Sequence, residues 1–341
     1  MRAVPFFEHG PASVLQYKED FPDPVRARNS VIIDVKYCGV NHLDIWARQG
    51  IAGRNIRLPH ICGCDIVGTV SRKSHGLRAG DRVVVYPGFS CGRCAHCRAG
   101  SQNLCSQFAI IGGMSDHDGG YAEQAIVPAQ NIVRIPGSIK DEVAATLAVS
   151  YLVAWNMLKT NGAAKGKTVL VYGASSGVGM ATIQIAKALG ATVITTVSSG
   201  EKRVFAEKVG ADHIVDRSEN IAERAREITS GTGVDIVIDH VGAATWQASI
   251  TSLKQGGRMA VCGMTSGNDA TVPVRSFYTK QIAMTGALLG TKRQLQGLIR
   301  FVAKKKIRPV IDSVLPLKEA SLAHERMEAG KHMGKMLLKC S

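Results

Sequence analysis

The 341 residues predict an α/β protein of two domains: a doubly wound parallel sheet and a β-rich domain. Three observations carry this. A buried-strand run, Thr168 to Tyr172, leads into the glycine-rich turn Gly173-Ala174-Ser175-Ser176-Gly177-Val178-Gly179, and Met180 to Gly190 then places apolar residues at helical spacing. A second apolar strand follows at Thr192 to Val197. Ahead of these, short β-like runs surround four closely spaced cysteines.

The glycine turn is where chemistry is first expected. Glycines let backbone approach a pyrophosphate, and the free N–H groups and dipole of the next helix hold its charge. Gly173, Ser175, Ser176, Gly177, Val178 and Gly179 are therefore the expected phosphate-binding residues. A structural turn without a ligand is the alternative. An acid at the tip of the second strand would bind a ribose 2′-hydroxyl and repel a 2′-phosphate. Here Ser198, Ser199 and Gly200 lead to Lys202 and Arg203, so NADP(H) is expected over NAD(H), with Ser198, Lys202 and Arg203 as contacts and Glu201 facing solvent.

In the amino-terminal half, Val31 to Tyr37 reads as a strand, Phe21 to Pro24 as a loop, and Arg82 to Val85 lies in a further β-like segment. Cys91, Cys94, Cys97 and Cys105 are spaced to wrap one tetrahedral ion. Four thiolates leave no open position, so one structural zinc per subunit is expected to brace the lobe over 91–105, with His96 inside the lobe as a surface residue and not a ligand. Two disulfides or free thiols are the alternative, which a cytosolic setting disfavours.

Composition bounds the rest. A net charge of +15 raises nucleic acid as a partner, yet Lys and Arg are scattered, Lys304 to Lys306 is the one tight run, and aromatics make up 5%. A solvated surface is expected, with no nucleic-acid partner. No apolar run is long enough to span a bilayer, and Met1-Arg-Ala-Val-Pro5 lacks a signal-peptide pattern, so a cytoplasmic, membrane-free protein is expected.

In order along the chain stand Gly39-Val40-Asn41-x-x-Asp44, Gly63-Cys64-Asp65, the four-cysteine lobe and Gly173 to Gly179. The series resembles the medium-chain dehydrogenase/reductase superfamily over essentially the whole chain, including Tyr151 to Trp155 and the closing strand Lys335 to Lys339. The resemblance implies a Rossmann domain, 151–288, inserted in a GroES-like β-rich catalytic domain, 1–150 plus 289–341. It also implies a homodimer or homotetramer, and an approach of Val241, Gly263 and Met264 to the nicotinamide half of the cofactor.

Zinc-dependent alcohol dehydrogenases of that superfamily imply a catalytic Cys at the position of Asn41, a His-Glu pair at Cys64-Asp65 and another Cys near Val149. None of these identities is present. The Asn41/Asp44 pattern is similar to that of zinc-independent quinone and enone reductases. An unorthodox zinc site built from Cys38, His42, His60, Cys62, Cys64 and Asp65 stays open. Without a metal, Asn41 is expected to donate an N–H to the substrate oxygen and His42 to supply a proton, through Asp44 or a ribose hydroxyl. Asp44 fixing its loop is the alternative. Trp46 and Tyr151 are expected as apolar walls for a flat substrate.

The expected activity is an NADPH-dependent reduction of a ketone, aldehyde, enone or quinone without catalytic zinc. The alternatives are an alcohol dehydrogenase with an unorthodox zinc, and a catalytically weak NADPH-binding regulatory protein.

Overall fold

A computed structural model describes residues 1–341, and the chain divides into two compact units, Met1–Ser150 with Thr291–Ser341, and Tyr151–Gly290. No helix is long and apolar enough to cross a membrane.

The unit Tyr151–Gly290 is built on a six-stranded, wholly parallel sheet. Its spatial order is His213–Asp216, Thr192–Val197, Thr168–Val171, Val234–Asp239, Leu253–Val261, Ala283–Gly286. Numbered along the unit, this is the 3-2-1-4-5-6 order of a doubly wound dinucleotide-binding sheet, whose order reverses between Thr168–Val171 and Val234–Asp239. These two strands are nearly continuous apolar runs because helices cover both faces of such a sheet. The helix after the glycine turn runs Gly177–Ala188, so it begins inside the motif and not at Met180. Its Met180, Ala181, Ile183, Ile185 and Ala186 are buried.

The other unit is organised on the ten-residue strand Ser30–Gly39, longer at both ends than the sequence pattern indicates. One edge pairs antiparallel with Asp65–Val70. The other is shared: residues 30–34 pair with Gln124–Pro128, and residues 37–39 with Lys335–Lys339. Arg82–Val85, Ile132–Arg134 and Ile311–Pro316 complete the seven-stranded sheet. Val31, Ile33, Val35, Ile66, Val83, Val85, Met336 and Leu338 meet in one core. The chain's last strand thus lies beside one of its first, and Gly39 stands in register with Asp65 on one side and Leu337 on the other.

Candidate active site

In the sheet-based unit, the glycine turn is shaped by two close approaches. Gly173 has φ +62°, a left-handed conformation that favours glycine. A Cβ on Gly179 would lie 2.1 Å from the Gly173 carbonyl oxygen, so helix and turn pack together only without a side chain there. Ser176 caps the helix: its Oγ accepts the Gly179 N–H at 2.9 Å and donates to the Gly173 carbonyl at 2.9 Å. The amides of Gly177 and Val178 belong to the first turn, where helix geometry provides no internal acceptor.

Beside the turn lies a cavity of about 300 Å³ whose lining includes Gly173, Ser175, Ser198, Lys202, Arg217 and Val241. No Asp or Glu lines it. Arg203 is not among the lining residues; it is exposed, and its guanidinium donates to the Ile214 carbonyl at 3.3 Å. Arg217 is a cavity residue that sequence reasoning missed. It directly follows the neighbouring strand His213–Asp216, and its N–H donates to the Val197 carbonyl at 2.8 Å, which puts it beside the second-strand tip.

Past Val234–Asp239, the buried Asp239 carboxylate accepts the N–H groups of Val241 and Gly242 and the hydroxyls of Thr245 and Ser249, at 2.7–3.0 Å. This fixes the turn that carries Val241. Gly263 passes His240 so closely that a Cβ would meet its carbonyl oxygen at 2.4 Å, while Met264 stands 47% exposed. His240, also missed, places Nε2 2.8 Å from the Tyr172 carbonyl and 3.3 Å from Ser176 Oγ. Burial lowers its pKa, so the ring is neutral and donates Nε2–H to that carbonyl, tying the turn to the adjacent strand. Its place at the end of a strand bordering the order reversal was the available signal.

In the other unit, helix His42–Gln49 begins at the Gly39-x-Asn41-x-x-Asp44 motif. Asp44 is fully buried and accepts from the Asn41 N–H (2.8 Å), Gly63 N–H (3.2 Å), Tyr121 hydroxyl (3.1 Å) and Cys64 thiol (3.4 Å). Burial nevertheless raises its pKa to about 6. Tyr121 Oη also lies 3.1 Å from Nε2 of the buried His324, whose pKa burial and Arg48 push down to about 3.

Asn41 is 6% exposed and both its side-chain N–H groups are engaged, one on the Gly39 carbonyl at 3.2 Å and one on Asp65 at 2.9 Å. Donation to a substrate oxygen, the role expected for Asn41, needs a hydrogen that this arrangement already uses. Asp44 likewise spends its oxygens on protein groups, the Asn41 N–H of its own turn and the Gly63, Cys64 and Tyr121 donors of two other segments. His42 is half-buried at the first helical position, with its ring 6.3 Å from Trp46 and 6.4 Å from His332. Tyr151 differs from expectation: it is fully buried, its hydroxyl 2.5 Å from Gln184 Oε1, and makes no exposed wall.

The four ligand atoms of Cys91, Cys94, Cys97 and Cys105 lie within 4.8 Å of one another, with separations of 3.9 Å (Cys91–Cys97) and 3.6 Å (Cys91–Cys105). Sulfurs on a tetrahedral zinc at ~2.3 Å stand about 3.8 Å apart, so the set fits the ion. Amides of Arg93 and Cys94 aimed at Cys91 pull its thiol down to about 6. The six residues of the unorthodox site do not form such a group. Cys38, Cys62 and Cys64 are fully buried thiols whose pKa values burial pushes well up.

Residues 177–304 match the family model described as zinc-binding dehydrogenase, and residues 27–137 match that of the alcohol dehydrogenase GroES-like domain. An alcohol dehydrogenase of Geobacillus stearothermophilus is 30% identical over 93% of both chains. An acryloyl-coenzyme A reductase of Metallosphaera sedula is 32% identical over 93% of this chain and 94% of its own. A quinone oxidoreductase of Rattus norvegicus is 30% identical over 99% and 97%. Among solved structures, an NAD-dependent alcohol dehydrogenase superposes with a TM-score of 0.94 at 37% identity, covering both chains completely.

Proposed function

The chain belongs to the medium-chain dehydrogenase/reductase superfamily, and from that premise we propose that this oxidoreductase is an NADP(H)-dependent reductase of a carbonyl, enone or quinone that works without a catalytic zinc. The observation that carries the cofactor choice is the cavity at the second-strand tip, lined by Lys202 and Arg217 and by no carboxylate. Two cations suit a 2′-phosphate, and Ser198 and Ser175 add hydroxyl donors.

The cofactor, when bound, supplies the hydride. Gly173, Ser175, Ser176, Gly177, Val178 and Gly179 hold its pyrophosphate by close backbone approach, and Val241, Gly263 and Met264 attend its nicotinamide half. In the β-rich unit His42 holds the proton the reduced product needs, and Asn41 and Asp44 serve as positioning residues because their polar atoms bind protein groups. Relatives named for quinone and acryloyl-coenzyme A reduction support an electron-poor C=C or C=O as the acceptor.

We extend the proposal to one structural zinc on Cys91, Cys94, Cys97 and Cys105, and to a homodimer or homotetramer. Tyr278, Val274 and Leu288, which are 64%, 69% and 50% exposed near the sheet-edge strand Ala283–Gly286, support the oligomer. A cytoplasmic location suits a chain whose nine cysteines form no disulfide, four of them grouped as zinc ligands and five left as thiols.

Specificity constants for NADPH and NADH on a panel of quinones, enones, ketones and primary alcohols test the proposal. Higher kcat/KM with NADPH and turnover that survives a chelator are expected; a preference for NADH refutes the cofactor choice, and alcohol oxidation abolished by a chelator favours a zinc enzyme.

A further inference from the structure

Lys335 opens the strand Lys335–Lys339 and is 2% exposed, one of the largest fully buried side chains of the protein. Its Nζ donates to the Val40 carbonyl at 2.9 Å, to Asn41 Oδ1 at 2.8 Å and to Asp65 Oδ2 at 3.0 Å. An ammonium has three hydrogens, and three oxygens take them. Asp65 is fully buried; its other oxygen accepts the Val149 N–H at 2.8 Å. Ser150 donates to Asn41 Oδ1 at 3.3 Å.

The sheet explains how these groups meet. Lys335–Lys339 and Asp65–Val70 flank Ser30–Gly39 on opposite edges, and Gly39 is the residue between them. A Cβ at Gly39 would come within 3.0 Å of Asp65 Cβ and 2.3 Å of the Ala145 carbonyl oxygen. The missing side chain lets the carboxylate lie against the middle strand, within reach of a lysine from the far side.

Asn41, Cys64, Asp65 and Val149 are also the positions at which the superfamily resemblance implies metal ligation, and their chemistry does not fit a zinc. Asn41 offers an amide oxygen already bound to Lys335 and Ser150. Val149 contributes a backbone N–H, and Cys64 is held as a thiol donating to Asp44. Zinc takes thiolate, imidazole or carboxylate, with three protein ligands in an open site.

We infer that the Lys335 ammonium is the resident cation of this site: it binds the oxygens of Val40, Asn41 and Asp65, positions Asn41 and Asp65, and excludes a divalent metal. This rests on the metal-free reading of the reaction and adds the residue that stands in the metal's place. Lys335 is a positioning residue; no step of the reduction passes through it.

The test installs ligands and asks whether the lysine blocks them. Asn41→Cys with Cys64→His, prepared in full-length protein, provides a thiolate, an imidazole and Asp65. Zinc and cobalt(II) per subunit are then measured, with cobalt d–d and thiolate charge-transfer bands as the signature of an occupied site. Expected are about one metal in the unaltered protein, about one in the double variant, and about two once Lys335→Ala is added. Two metals in the double variant with Lys335 intact overturn the inference and leave the metal-free reading standing; two in the unaltered protein overturn that reading itself.

No second metal after Lys335 is removed also counts against it. If that variant does not fold, Lys335→Gln in the same background, similar in length and uncharged, replaces it. A second readout uses Lys335→Ala alone: methylammonium chloride is expected to raise its Tm above that in sodium chloride at equal ionic strength, with no such difference for the unaltered protein. Equal Tm values in the two salts refute a missing cation.

Discussion

The buried pair Asp44 and His324, joined through Tyr121, makes opposite demands on pH. His324 is fully buried, with Nε2 on Tyr121, Nδ1 unpartnered, and Arg48 and His42 disfavouring its charge, so its pKa falls from 6.5 to about 3. The unfolded chain therefore takes up a proton that the folded one refuses. The stability this group contributes is present above pH 6.5 and lost as pH falls from there toward 3. Asp44 faces Tyr121, Cys64 and Lys335, and its pKa rises from 3.8 to about 6, so the folded state gains stability as pH falls from 6 toward 3.8. Between pH ~7.5 and ~4.5 these shifts correspond to about 3 kcal/mol lost through His324 and about 2 kcal/mol gained through Asp44. Together they leave a net loss of about 1 kcal/mol. In His324→Gln the loss disappears and the same acid step gains about 2 kcal/mol relative to the rest of the protein; in Asp44→Asn the full loss of about 3 kcal/mol emerges. Urea unfolding of the three proteins at both pH values measures this, because comparing each protein with itself cancels any pH-independent cost of substitution and groups elsewhere contribute equally. Three proteins with the same pH dependence would refute the coupling, as would a shift of the same sign in both variants.

Lys202→Ala and Arg217→Ala are each expected to lower kcat/KM for NADPH about tenfold, the worth of roughly 1.4 kcal/mol for a charge-assisted contact, with little change for NADH; equal losses with both cofactors would remove the 2′-phosphate from the account. Arg203→Ala, whose guanidinium serves the Ile214 carbonyl, should leave that ratio unchanged. Gly179→Ala places a Cβ 2.1 Å from the Gly173 carbonyl oxygen, so the turn must open, and calorimetry should show NADPH affinity falling by more than about tenfold while the fold persists. Cys94→Ser should reduce bound zinc from about one per subunit toward none and make residues 91–105 the first site of limited proteolysis; full zinc retention would refute the four-thiolate assignment.

What could be read in the sequence follows how far apart in the chain the interacting groups lie. The glycine turn was legible because strand, turn and helix are contiguous, and the strand Thr192–Val197 has the bounds its apolar run indicates. The four cysteines were legible for the same reason, since fifteen residues hold all the ligands. Arg217 was hidden because it reaches the cavity through parallel pairing of Thr192–Val197 with His213–Asp216, and a local window around Ser198 contains only Lys202 and Arg203. Position in that window says nothing about direction, and Arg203 turns to a backbone carbonyl instead.

Asn41 shows the same limit more sharply. From the motif it was an amide with hydrogens to offer; in the fold its partners come from positions 39, 65, 150 and 335. Lys335 is 270 residues from Asp65 and 294 from Asn41, and in the sequence it is simply a basic residue opening a closing strand. Only the antiparallel pairing of that strand with Ser30–Gly39, and a glycine at the crossing, turn it into a buried cation. A buried ammonium is costly unless every hydrogen finds an acceptor, so replacing one of its oxygens alone should destabilise the protein more than replacing the whole trio with apolar residues of similar volume. Asp65→Leu should therefore cost about 3–5 kcal/mol in urea unfolding, and Asp65→Leu combined with Asn41→Leu and Lys335→Met should recover part of it; a triple variant less stable than Asp65→Leu would show that the trio stabilises the fold beyond satisfying its own charges.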